Sequence, residues 1–155
     1  MTALLDDAAE LEYGPERIAK TEEAVRLTDE AKEEKLAFGA RLALVEAATF
    51  GGFPEKALVA FGWCAAKSKK DPETFQESHA SLFSAIDLLW AYKWVTLQVP
   101  WYPQLTRAQM NDTLDDMQQR YERHRLSLRP VFMQRTRLTQ EMGDDPELSM
   151  EWYRK

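Results

Sequence analysis

The stretch Thr49-Phe50-Gly51-Gly52-Phe53-Pro54-Glu55-Lys56-Ala57-Leu58 limits what this chain can fold into more than any other. It joins two helical patterns, and its form returns near the end as Gly143-Asp144-Asp145-Pro146-Glu147-Leu148-Ser149-Met150. In both, glycine closes one helix, because it enters the left-handed cap conformation without a Cβ penalty. Proline then opens the next helix at its first turn, where a missing N–H costs nothing. A joint that recurs in this way predicts stacked helical hairpins rather than a single bundle.

Helical spacing runs through the whole sequence, and no strand-like alternation interrupts it. A first helix over 2–12 carries Leu4, Leu5, Ala8 and Leu11 on one stripe. Tyr13-Gly14-Pro15-Glu16 breaks it and opens a second, to about Lys32. The third, Glu34 to Phe50, is apolar almost all round and must be covered on several faces. The fourth runs from Pro54 to about Lys69, with Ala57, Leu58, Phe61, Cys64 and Ala65 on its inner side. Asp71-Pro72-Glu73 supplies a cap and a short turn or helix. A fifth helix is expected from Ser78 to Val99, ending at Pro100-Trp101-Tyr102-Pro103. Thr106-Arg107-Ala108-Gln109 is a capping box opening the sixth. That helix buries Met110, Leu114, Met117 and Tyr121 and turns Asp112, Asp115, Asp116 and Gln119 to water. A seventh spans Ser127 to Met142, and an eighth starts at Pro146.

With 155 residues, 45% of them apolar, the chain can bury one sizeable core, so residues 1–155 are read as a single domain. A net charge of −6 sets it apart from general polyanion binders, which disfavours nucleic acid as a partner. Residues 1–34 hold eleven acids against four bases, a solvated end cap. One cysteine, Cys64, allows no internal disulfide and suits a reducing compartment. No signal-like opening is present, and the greasiest run, Leu82 to Val99, is interrupted by Asp87 and Lys93. A soluble, cytoplasmic protein without a membrane span is therefore expected. Trp152 and Tyr153, at an uncapped end, predict the amino-terminal part of a longer array, or self-association through the last hairpin.

Paired in order, the helices give four αα-hairpins whose joints carry Pro15, Pro54, Pro103 and Pro146, at steps of 39, 49 and 43 residues. Gly52, then Ala57, Phe61 and Cys64, with Leu44 and Ala48 on the preceding helix, resemble the tetratricopeptide-repeat motif. The last hairpin matches less fully through Gly143, Ser149 and Tyr153, and the middle one departs from the pattern at Pro100–Pro103. The overall look is similar to divergent bacterial members of that superfamily. The resemblance implies an all-α, right-handed solenoid whose concave groove binds peptides or partner proteins, with no catalytic residues.

Two charges interrupt apolar runs at equivalent places, Glu46 in Leu44–Ala48 and Lys93 in Ala91–Val95. Equivalent residues on stacked helices lie roughly 10 Å apart, so the two side chains are expected to pair in the groove or to fix repeat register. Trp90 and Trp94, four residues apart, are the groove-facing members of an aromatic cluster that otherwise fills core. Between Arg120 and Arg137 stand six arginines against one acid, Glu122. Arg135 and Arg137 are candidates for an acidic partner, and the run equally supplies counterions for the aspartates of the sixth helix. His79 and His124 stand far apart in sequence, no cysteine joins them at metal-ligand spacing, and no phosphate loop is present. Neither enzyme activity, metal nor cofactor is expected. The function expected is a scaffold for a peptide or partner protein. The alternatives are a ligand-gated peptide sensor and an accessory subunit of a larger enzyme or defence complex.

Overall fold

A computed structural model describes residues 2–78, 86–98, 102–103 and 105–141. It contains α1 (Thr2–Glu10), α2 (Pro15–Glu30), α3 (Glu34–Phe50), α4 (Pro54–Lys70), α5 (Leu88–Leu97), α6 (Arg107–Arg123) and α7 (Arg129–Glu141), and no strand among the described residues. The chain is all-α. Its contacts divide it into two compact units, Met1–Ala91 and Tyr92–Lys155, with the boundary inside α5. The expected eighth helix, with the second glycine–proline joint and Trp152 and Tyr153, lies outside the described residues.

In the first unit each helix packs on the next, α1 on α2, α2 on α3 and α3 on α4. Leu5, Ala24 and Ala40 meet where α1, α2 and α3 converge, with Leu4, Val25 and Ala43 against them. α3 buries Ala37, Phe38, Leu42, Val45, Ala47 and Ala48, which cover more than one side of the helix, as its composition predicts. Each larger side chain among them contributes about 1.5–3 kcal/mol of apolar burial. Small residues in the same helix let its neighbours approach closely. Past α4, Asp71 organises a turn by accepting from the Thr74 N–H (3.2 Å), and Phe75 packs its ring on Phe38 at 5.3 Å.

The joint between α3 and α4 is built as its glycines predict. Gly52 adopts φ 84°, and the Phe53 N–H returns to the Ala48 carbonyl at 2.9 Å. Gly51 serves a different need, since a Cβ there would sit 2.6 Å from the Ala47 oxygen and 2.8 Å from Ile18 Cδ1. The same cap closes α2 and α6 without glycine. Lys32 (φ 56°) and Arg125 (φ 53°) take the left-handed position. Glu33 N–H reaches Thr28 O at 3.1 Å, and Leu126 N–H reaches Tyr121 O at 2.9 Å.

The long fifth helix is corrected at its start. Ser78 lies in a turn, residues 86 and 87 are not helical, and α5 begins at Leu88. Asp87, which reads in the sequence as a charge inside an apolar run, is the residue that starts the helix. Its carboxylate accepts from the Trp90 N–H (2.8 Å) and its carbonyl from the Ala91 N–H (3.1 Å). The Leu89 N–H, another first-turn donor, is taken by the Glu77 carbonyl at 3.2 Å.

In the second unit α6 packs on α7. The capping box is complete: Gln109 N–H donates to Thr106 Oγ1 (3.1 Å) and Thr106 N–H to Gln109 Oε1 (2.8 Å). Met110, Leu114, Met117 and Tyr121 are buried in the expected stripe. The aspartates beyond it need correcting. Asp116 accepts from the Tyr92 hydroxyl and from Arg120 (3.2 Å), and Asp115 from Arg135 (2.5 Å), so both face protein donors as well as water.

Candidate functional site

Helix α3 carries two exposed-edge features on roughly opposite sides, since Arg41 and Leu44 stand about half a turn from Glu46 and Phe50. On the second side Glu46 accepts from the Tyr13 hydroxyl at 3.2 Å, and Arg17 lies 3.7 Å away. The Arg17 guanidinium also covers the Tyr13 ring at 4.3 Å. Partial burial and the neighbouring carboxylate of Glu46 hold the Tyr13 phenol above its ordinary value. Tyr13 continues into Phe50 (5.1 Å), and Phe50 meets the half-buried Trp90 edge-on at 5.8 Å. Two sequence-chosen residues, Glu46 and Trp90, thus share one surface of the first unit, with Phe50 between Tyr13 and Trp90.

The other four chosen residues belong to the second unit. Lys93 is exposed, with its ammonium 6.0 Å from the half-buried Trp94 ring. Arg135 is buried and donates to Asp115 (2.5 Å) and Gln118 (3.4 Å); Arg137 is half-buried. Arg120, from the same run, lies over the Tyr92 ring at 5.1 Å while holding Asp116. Arg120 and Arg135 thus act as counterions for the aspartates of α6. Among the described residues no group of three His, Cys, Asp or Glu side chains is set to hold a metal.

The first side of α3 opens into a groove with α2 and α4 as its walls, which the sequence does not single out. One cavity of about 430 Å³ is lined by Glu22 and Val25 of α2, Arg41 and Leu44 of α3, and Lys56, Val59 and Ala60 of α4. A second, of about 420 Å³, continues past Arg41 to Asp29, Glu34, Trp63 and Lys67. Arg41 borders both. It donates to both carboxylate oxygens of Asp29 at 2.8 Å and stacks over Trp63 at 4.0 Å. Lys67 approaches the same ring (5.2 Å) and pairs with Glu34 at 2.7 Å. At the far end Lys56 of α4 pairs with Glu22 of α2.

These three pairs, Arg41–Asp29, Lys67–Glu34 and Lys56–Glu22, flank an apolar floor. Leu44 and Ala60 are buried beneath it, Val25 is half-buried, and Val59 stands 75% exposed at its rim. The guanidinium hydrogen bonds hold the Asp29 carboxyl below its ordinary value of 3.8. Arg41 and Trp63 are 22 residues apart in sequence, so only knowledge of how α3 and α4 face one another could have found them. A cheaper signal was Val59, an aliphatic residue off the buried stripe of α4. Comparison of the chain with protein-family models, with curated proteins and with solved structures returns no match.

Proposed function

We propose that the chain is a protein-interaction module whose guest, a helical segment of a partner protein, lies in the groove between α2 and α4. The observation that carries this reading is the apolar floor of Val25, Leu44 and Ala60, open beside an exposed Val59 and flanked by the Arg41–Asp29 and Lys56–Glu22 pairs. An apolar stripe between two helices suits helix-in-groove recognition, in which a guest anchors side chains at i, i+3/i+4 and i+7. Glu55, exposed at the rim, favours a basic residue on the guest.

We read the helices as hairpins of a right-handed solenoid resembling tetratricopeptide repeats, acting without a catalytic step in a bacterial cytoplasm. Burial of Leu44, Ala48, Ala57, Phe61 and Cys64, the positions that carry the resemblance, supports this.

A photo-crosslinking amino acid in place of Trp63 tests the proposal, with the same group at the exposed Gln119 as control. The expected result is one discrete adduct at position 63, mapping to a helix with aliphatic spacing and lost on Val59→Lys. Equal labelling at both positions, or an adduct indifferent to Val59→Lys, overturns it.

A further inference from the structure

Helix α4 buries Ala57, Ala60, Phe61, Cys64 and Ser68 and turns the opposite stripe outward: Glu55, Val59, Gly62, Ala66 and Lys69, all exposed. Their spacing of three and four residues sets them in one line along the helix. Gly62 is the anomaly. Glycine weakens a helix interior, so its presence there calls for a reason. No atom of the described residues lies within 4 Å of where a Cβ would stand, its own helix backbone apart, and its backbone is helical. Among the described residues nothing requires glycine here. Close approach of another backbone is a use that glycine permits.

We propose that this face of α4 is the contact of a homodimer, in which α4 of a second copy crosses antiparallel about a two-fold axis at Gly62. An isologous contact pairs residue i with j and j with i. Gly62 stands midway between Glu55 and Lys69, so this axis sets Glu55 against the partner subunit's Lys69, and Lys69 against the partner subunit's Glu55. A parallel arrangement would face acid with acid and base with base. Val59 then packs against the partner subunit's Ala66, covering the most exposed large aliphatic side chain described here. Without a Cβ at the crossing, the two axes can come nearer than ordinary helix pairs do.

Glu55 and Val59 also form the rim of the groove, so a second copy on this face competes with a guest for them, whereas Gly62 and Lys69 do not line it. Variants at those two positions therefore test the dimer separately from the groove. Sedimentation equilibrium of the full chain across the micromolar range should give the mass of a dimer. Gly62→Trp, checked for helical circular dichroism, should sediment as a monomer. Lys69→Glu should weaken association by about tenfold or more, and the swap Glu55→Lys/Lys69→Glu should restore it. Under mild oxidant Gly62→Cys should form an inter-subunit disulfide, since a residue on the axis meets its own copy, while Lys69→Cys should not. A monomer at every concentration, or a dimer that ignores both Gly62→Trp and the charge swap, overturns the proposal.

Discussion

Arg41 of α3 holds Asp29 of α2 through two parallel hydrogen bonds, each 2.8 Å, one to each carboxylate oxygen. The same guanidinium stacks on Trp63 of α4. One side chain therefore ties three consecutive helices together at the midpoint of the groove. Lysine could supply the charge but neither the fork nor the flat face that this position uses.

Because Asp29 is half exposed, the pair is worth little beyond the range of surface pairs. Asp29→Asn should lower stability at neutral pH by about 1 kcal/mol. The folded carboxyl titrates below 3.8 because Arg41 favours its ionised form. Its contribution is therefore complete above that value and is lost as pH falls through the depressed one. Urea midpoints of wild type and Asp29→Asn should accordingly converge as pH falls through that depressed value. A gap that persists there would assign the effect to packing instead of charge.

The left-handed caps at Lys32 and Arg125 give a prediction of opposite sign to most glycine substitutions. A residue with a Cβ pays about 1 kcal/mol in this conformation, which glycine does not. Lys32→Gly and Arg125→Gly should each stabilise by about 0.5–1 kcal/mol, after allowance for the looser unfolded chain. Gly52→Ala, at φ 84°, should destabilise by about 1 kcal/mol. Denaturant midpoints at unchanged slope are the readout.

What was legible in the sequence follows from these joints. The bounds of α3 and α4 and the Thr106–Gln109 box could be read because glycine, proline and capping residues have few other uses. The caps at Lys32 and Arg125 could not, since neither residue type favours positive φ. Asp87 looked like an interruption because the apolar residues before it continue the pattern, yet its carboxylate begins the helix. Glu46 drew notice as a charge among apolar neighbours. Its partners, Tyr13 before α2 and Arg17 on it, come from an earlier part of the chain, which periodicity along α3 cannot identify. Periodicity finds the face of a helix that is buried; it does not say what stands opposite.

The Tyr92–Asp116–Arg120 cluster predicts an asymmetry between its two charges. The Arg120 side chain is 3% exposed, whereas Asp116 is 32% exposed and also accepts from Tyr92. Asp116→Ala takes one charged acceptor away from a buried guanidinium and should cost about 1.5–3 kcal/mol. Arg120→Met removes the buried charge itself, leaves Asp116 in reach of water, and should cost about 1 kcal/mol or less. Comparable losses in thermal unfolding would show that the ion pair is not what fixes Arg120 in place.

Cys64 is fully buried between α4 and α3, its thiol directed at the Phe38 carbonyl 3.7 Å away. Burial pushes the thiol well above its ordinary 9.0, and the positive charge of Arg41 offsets this only in part. A free cysteine reacts faster with a disulfide-exchange reagent as pH approaches its pKa, because the thiolate is the nucleophile. Native Cys64 should instead label at the rate at which the first unit opens, with little response to pH between 7 and 9 beyond what unfolding itself shows. The linkage has a definite sign. Above about pH 9 the unfolded chain releases the thiol proton that the folded one retains, so stability from this group is complete below that value and declines as pH rises. Urea titrations from pH 8 to 10 should show this slope in wild type and a shallower one in Cys64→Ala, where the raised Tyr13 and Tyr102 phenols still contribute and the cavity lowers stability at every pH alike. Rapid native labelling, or identical slopes in the two proteins, would mean that α4 does not seal Cys64 against α3.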